Sequence, residues 1–229
     1  MAFGNSMQRT SPVVLNLIII NVLVYFAQAA LGGNTDANRV TDLFALHHYK
    51  SNEFRPYQII THMFMHGGLM HLLFNMLGLW MFGSTVEKIW GPKKFLLFYL
   101  ICGVVAGVTQ MASYTFDWWD LDHTFLSAEQ TEQYQEILRR TATVGASGAI
   151  MGLLAAFGYL FPNTTLFIMP IPVPVKAKWA IMGIIAIDVF GGFSRLPNDN
   201  VAHFAHVGGA LAGLLLVIFW NKTKPSTFY

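Results

Sequence analysis

The chain has 229 residues, of which 54% are hydrophobic and only 11% charged, against roughly a quarter charged in an ordinary soluble domain. This composition excludes a water-soluble globule and reads as one membrane-embedded domain over residues 1–229. The net charge of +2, without a basic cluster interleaved with aromatics, gives no ground for a nucleic-acid partner, and the single cysteine, Cys102, lies in an apolar run where it reads as core packing.

Residues 1–12 form a short polar N-terminus with Arg9, and Pro12 precedes the apolar run Val13 to Leu31, long enough for a first membrane span at about 20 residues per crossing. A secretory signal peptide is the rival reading, because Arg9, the apolar stretch and Ala27-Gln28-Ala29 imitate its three regions; the length of the run and the presence of Asn16 and Asn21 favour a span. Residues 32–66 are a long loop whose second part, Phe54 to Phe64, is half apolar and suits a segment at the membrane interface. The second span runs from about Gly68 to Val86. A tight charged turn through Glu87, Lys88, Gly91, Pro92, Lys93 and Lys94 leads into a third span from Phe95 to about Ser113.

Between residues 114 and 143 the composition turns soluble. Trp118 and Trp119 suit an interfacial belt, Ser127 with Gln130 forms the pattern of a capping box opening a short helix to Arg140, and this insert is expected outside the bilayer. The fourth span runs from Gly145 to Phe161; Pro162, Pro170, Pro172 and Pro174 then exclude regular structure until Lys176 and Lys178. A fifth span covers about Trp179 to Phe190. After a loop with Gly191, Gly192, Pro197, Asn198 and Asp199, a sixth runs from Val201 to Trp220, followed by a basic tail, residues 221–229.

Six spans put both termini on one side. Arg9, Lys88, Lys93, Lys94, Lys176, Lys178, Lys222 and Lys224 fall there in short segments, whereas Arg39, Lys50, Arg55, Arg139, Arg140 and Arg195 are spread over longer loops opposite. Cytoplasmic loops carry the excess of Lys and Arg, so the termini are expected to be cytoplasmic.

Within the spans the polar residues are few: His71 and Asn75 on the second, Ser147 on the fourth, Asp188 near the end of the fifth, His203 and His206 on the sixth. Ionisable groups in membrane helices default to functional roles and face the bundle interior. Ser147 lies in Gly145-Ala146-Ser147-Gly148, uncrowded and at the first turn of its helix, where free N–H groups and the positive dipole end suit a developing oxyanion. His71 and Asn75 share one helix face, as do His206, Gly209 and Gly213. If the Gly209/Gly213 face meets the Gly148/Gly152 face, His206 lands near Ser147. A serine beside an imidazole base is the pairing for nucleophilic acyl transfer, with Asn75 and His71 as oxyanion donors. His203, one turn before His206, is the rival base; the glycines that allow close contact favour His206. Asp188 could approach His206 as its orienter, but it reads rather as a helix-end residue, so the expectation is a dyad without an acidic member.

With those residues in place, the chain resembles the rhomboid family of intramembrane serine proteases over nearly its whole length. The resemblance is carried by His66-Gly67-Gly68-Leu69-Met70-His71-Leu72-Leu73-Phe74-Asn75, by Gly145-Ala146-Ser147-Gly148, by Ala205-His206 with Gly209 and Gly213, and by the order of six spans. It implies an all-α six-helix membrane bundle with a re-entrant or interfacial first loop, Ser147 as nucleophile, His206 as general base, and His71, Asn75 and the Ser147 backbone N–H as oxyanion site. It also implies a cofactor-free protease, in a bacterial plasma membrane, that cuts single-span membrane proteins through a water-filled cavity. Two positions depart from the family pattern: Tyr57-Gln58 stands where a Trp-Arg pair is common, and Met151 stands where an aromatic usually packs under the base. The insert at 114–143 is also longer than in a minimal member.

Three other readings compete. A catalytically silent rhomboid-like binder of membrane proteins would lack serine or base, and this chain has both. A metalloprotease would need a glutamate after His62, where Met63 stands, so His62 and His66 read as loop-to-helix hydrogen-bonding groups and no metal is expected. A transporter would line a path through the bilayer and show repeats; here the polar groups gather near one face.

Overall fold

The computed structural model describes residues 11–32, 39–117, 126–167, 173–194 and 201–222. Arg9, Trp118, Trp119, Pro170, Pro172, Arg195, Pro197, Asn198, Asp199 and Lys224 lie outside the described residues. Helices dominate: α1 (Pro12–Gly32), α2 (Arg39–Phe44), α3 (Gln58–Thr61), α4 (Leu69–Gly78), α5 (Ser84–Trp90), α6 (Pro92–Asp117), α7 (Ala128–Arg140), α8 (Ser147–Leu160), α9 (Ala177–Ser194) and α10 (His203–Lys222). A π-helical turn, Leu79–Gly83, joins α4 and α5 into one apolar helix, Leu69–Trp90.

Among the described residues, five helices are long and apolar enough to cross a membrane, namely Pro12–Leu31, Leu69–Trp90, Pro92–Phe116, Ala177–Ser194 and His203–Lys222. The protein is therefore an all-α, multi-pass integral membrane protein. The expected fourth span is shorter than its sequence reading: α8 has 14 residues and starts at Ser147 itself. It is also the most enclosed helix, with Gly148, Ala149, Ile150, Met151, Gly152, Leu153, Ala155, Ala156 and Phe157 all buried. Burial on every face explains why it reads as continuously apolar. At 1.5 Å per residue it rises about 21 Å, short of a hydrocarbon core of about 30 Å. Its Leu160 end sits with Trp90, Lys94 and Trp220, where Lys94 Nζ lies 4.3 Å from the Trp220 ring centre, a pairing suited to a membrane interface.

The core forms around α8, packed by α4, α6 and α10, with α1 closing it from the side of α4 and α6. Val14, Leu17, Leu72, Leu79, Phe95, Phe98, Tyr99, Cys102, Ala149, Leu153, Ala156 and Val217 are buried together, so Cys102 is a packing residue. Between α8 and α10 the contact is backbone on backbone. A Cβ on Gly209 would overlap the Gly148 carbonyl, one on Gly213 the Gly152 carbonyl, and one on Gly152 would come within 2.6 Å of Cys102 Sγ and 2.9 Å of the Gly209 carbonyl. The two glycine faces thus meet as the sequence spacing predicts.

The first loop does not cross the bundle, as expected, but it is not merely a surface segment. Gln58, His62 and Met63 are buried, with the Met63 side chain lying against Gly103 of α6. Gln58 is its hub: the side-chain oxygen accepts from Arg55 N at 3.1 Å and His47 N at 3.4 Å, and the amide donates to the carbonyls of Asp42, Leu43 and Glu53 at 3.2, 3.2 and 2.9 Å. Gln58 therefore supplies the anchoring that the Tyr57-Gln58 departure left open. Helix α7 carries the expected capping box, Ser127 Oγ accepting from Gln130 N and Gln130 Oε1 from Ser127 N. It docks on the same loop through Asn52 N to Gln135 Oε1, 3.0 Å, and Arg139 to Asp42, 3.4 Å.

The proline-rich connection corrects another expectation. Thr165–Phe167 and Pro174–Lys176 pair as a short antiparallel hairpin with Leu166 opposite Val175. Pro174 is tolerated because it opens its strand, where a missing N–H removes no interior ladder bond.

A carboxylate locks the first helix to the rest. Glu87, 2% exposed on α5, accepts from Val13 N at 3.0 Å and Val14 N at 2.9 Å, capping α1 from another helix and setting a negative charge at its positive dipole end. Glu87→Ala strands those two N–H groups in an apolar setting and is expected to lower stability by about 1–3 kcal/mol, with Glu87→Gln intermediate. Unfolding in detergent checks this; equal stability of Glu87→Ala and wild type would show the cap to be idle.

Candidate active site

Ser147 is the first residue of α8, following Ala146 at the cap and Gly145 at φ +122°, a left-handed conformation that favours glycine. The turn is held from outside the helix: Gly145 N donates to the His62 carbonyl at 2.9 Å, and Leu46 and Thr143 exchange both backbone hydrogen bonds at 2.9 Å. The first loop thereby fixes the strand of chain that delivers the serine.

With α8 and α10 in glycine contact, His206 Nε2 stands 2.8 Å from Ser147 Oγ. The other ring nitrogen, Nδ1, is 2.9 Å from Asp188 Oδ1 on α9, and His203 Nδ1 lies 2.8 Å from the same oxygen. A carboxylate oxygen only accepts, so Nδ1–H is the donor in both rings and His206 Nε2 is left to accept the serine proton. The Asp188 side chain, read from the sequence as a helix-end residue, is 9% exposed and bonded to both histidines. Sequence spacing ranked this contact below a helix-end role because Asp188 and His206 are on different helices; its signal was the presence of a carboxylate in an apolar helix. His203 is directed away from the serine. Its ring rests on Gly191 of α9, where a Cβ would come within 2.6 Å of Nε2.

His71 reaches the site from α4. A Cβ on Gly145 would lie 2.8 Å from its Nε2 and Cε1 and 3.6 Å from Ser147 Oγ, so ring and hydroxyl flank the same glycine. Gly67 N donates weakly to His71 Nδ1 at 3.4 Å, which leaves the proton of the neutral ring on Nε2, facing Gly145. Asn75, 5% exposed, has a buried Nδ2 without a hydrogen-bond partner among the described residues. An unpaired buried amide is costly. Met151 packs with Ala155 and with Ala210, one turn beyond His206.

His62 and His66 take loop roles. His62 Nδ1 bonds the Gln58 carbonyl at 2.9 Å, and His66 lies edge-on to His71 with ring centres 5.2 Å apart. Burial pushes the His62 imidazole down to about 4. Burial, with His71 as a second cause, brings His66 to about 4 as well.

A serine and an imidazole in hydrogen-bond contact within a bundle of apolar helices define a membrane-embedded protein with a paired serine and histidine. The chain belongs to the rhomboid family: the family's Rhomboid domain matches residues 53–222. It is 29% identical over 211 residues to the rhomboid protease AarA of Providencia stuartii, covering 89% of this chain and 70% of that protein. It is 27% identical over 212 residues to the rhomboid protease GluP of Bacillus subtilis, covering 92% of this chain but 35% of GluP. With RHOMBOID-like protein 12, mitochondrial, of Arabidopsis thaliana it shares 28% over 221 residues, 94% of this chain and 60% of the other. The chain thus spans about a third to two thirds of the length of these relatives.

The two loop histidines predict an acid sensitivity. Unfolded, each titrates near the ordinary value of 6.5, while the fold keeps both neutral down to about 4. Protonation therefore favours the unfolded chain: their contribution to stability is intact above about pH 6.5 and is lost as pH falls toward 4. Melting temperatures in detergent should decline over that window, with a shallower decline in His62→Gln; an identical slope in the two proteins would overturn the assignment.

Proposed function

We propose that this protein is an intramembrane serine endopeptidase that cuts transmembrane segments of membrane proteins, with Ser147 as nucleophile and His206 as general base. The observation that carries the reading is the 2.8 Å contact between Ser147 Oγ and His206 Nε2 at the half-buried N-terminal end of α8. His206 takes the hydroxyl proton as Oγ attacks the scissile carbonyl, and the charge gathering on the carbonyl oxygen is met by the Ser147 backbone N–H, His71 Nε2–H and the Asn75 amide. Collapse returns the proton from His206 to the leaving amine and leaves an acyl-enzyme, which water hydrolyses through the same base. No cofactor enters these steps.

The matched relatives include proteins named as proteases and proteins named only as rhomboid-like, so a silent binder is the rival reading. The possession of both serine and base in contact favours the enzyme. The lipid bilayer is the medium, and the excess of Lys and Arg on the terminal side supports cytoplasmic termini in a bacterial plasma membrane; the relatives also include mitochondrial proteins.

Ser147→Ala and His206→Ala are expected to abolish cleavage of a single-span reporter in proteoliposomes, with the double variant no worse than either alone because the pair acts as a unit. Asn75→Ala should retain fluorophosphonate labelling at Ser147 and lose about 10²–10³ in rate, the cost of one oxyanion donor. Cleavage by Ser147→Ala at the wild-type rate would refute the assignment.

A peptide bond in an intact helix is shielded by its own hydrogen bonds, so the serine requires a segment that unwinds. Substrates are expected to carry Gly, Pro or Ser near one end of their span and a small residue before the cut, given the glycines and Ala146 that frame the serine. Replacing those breakers with leucine in the reporter should suppress cleavage; an all-leucine span cut equally well would remove the unwinding requirement.

A further inference from the structure

The catalytic proposal leaves two polar groups unused in the same region, Asp188 and His203. One carboxylate oxygen, Asp188 Oδ1, receives Nδ1–H from His203 at 2.8 Å and from His206 at 2.9 Å. A carboxylate among apolar helices is expensive unless paired, and here both partners come from one neighbouring helix, a turn apart on the same face. His203 is seated as firmly as the carboxylate. Gly191, one turn beyond Asp188 on α9, leaves the space that its ring fills, and Phe193 meets Phe204 edge-on at 5.5 Å beside it.

We propose that Asp188 is the positioning residue for His206 and that His203 braces Asp188, so that the working unit is a Ser147–His206–Asp188 relay with a second histidine holding its acidic end. The assignment rests on the reading of Ser147 and His206 given above. Its chemistry follows from the two ring nitrogens of His206. Asp188 keeps a proton on Nδ1, which frees the Nε2 lone pair for the serine hydroxyl and fixes the ring plane toward Oγ. When His206 takes the serine proton it becomes an imidazolium, and the Asp188 charge, already in contact, stabilises it. The Nδ1 proton stays where it is; the Nε2 proton passes to the leaving amine. Asp188 and His203 exchange no proton with the substrate. An uncharged residue at 188 would leave His206 free to adopt the tautomer with Nε2–H, which cannot serve as base.

The test is kinetic. Asp188→Asn keeps the side-chain volume and removes the charge; in proteoliposomes kcat for the single-span reporter is expected to fall on the order of 10²–10⁴-fold with KM unchanged, since the substrate does not touch residue 188. The second-order rate of fluorophosphonate labelling at Ser147 should fall with it, because labelling needs the activated hydroxyl and not the substrate. Asp188→Glu should recover part of both rates, which a purely structural role for the aspartate would not produce. His203→Ala leaves Asp188 in place and is expected to lower kcat by less, again at constant KM, and it keeps the question open to measurement if Asp188→Asn does not fold. Wild-type kcat and labelling in Asp188→Asn would overturn the relay, and wild-type kcat in His203→Ala would overturn the brace. A wild-type protein that neither cleaves nor labels would instead remove the protease reading itself, and this assignment with it.

Discussion

The site depends on the absence of side chains between α8 and α10. Gly148 and Gly152 on one helix and Gly209 and Gly213 on the other let the two backbones meet directly, each carbonyl lying where a partner's Cβ would be. Without water to drive apolar helices together, such contacts rely on close packing, which small residues permit. The reach of a histidine from α10 to a serine on α8 is therefore set by this separation, and a methyl group at Gly209 would have to push the helices apart and open the 2.8 Å bond between Ser147 and His206. Everything else at the site is arranged around that fixed pair.

What surrounds it is anchored at several levels. The serine turn is held by the His62 carbonyl and by Thr143 paired to Leu46, so the first loop is part of the site's frame. That loop is organised by the buried amide of Gln58 and clamped by α7 from outside. Far from the chemistry, Glu87 fixes α1 against α5 through two backbone N–H groups. Gln58 and Glu87 are buried polar groups, for which a missing partner is costly and a satisfied one confers a unique geometry.

Much of this was legible in the sequence because membrane helices obey strict local rules. Apolar length located five spans to within a few residues, and the spacing of Gly148/Gly152 against Gly209/Gly213 forecast which faces meet. The choice of His206 over His203 followed from the same glycines, and the geometry agrees, with His206 Nε2 and not His203 at Ser147 Oγ. The remainder was hidden because spacing arguments work within one helix. Nothing in a single-helix pattern connects Asp188 to a ring 18 residues later across a loop, or shows that one oxygen serves two histidines. The hub role of Gln58 was equally invisible, since its partners are backbone carbonyls and N–H groups of a turn that no periodicity describes. The Thr165–Phe167 hairpin was missed for the opposite reason: prolines were taken to forbid strands, although one at a strand's opening position does not.

The arrangement of Asp188 also bears on how the chain enters the membrane. On its own α9 carries a carboxylate into hydrocarbon, which on insertion scales opposes entry by about 2.5–3.5 kcal/mol near a helix centre. The histidines that receive it are on α10, the next helix in the chain, His203 at its first residue. Insertion of α9 and α10 as one hairpin lets the carboxylate find both donors while it leaves water, whereas sequential insertion exposes it to lipid without them. The same contacts that join Asp188 to His203 and His206 thus couple α9 and α10 as they enter the membrane.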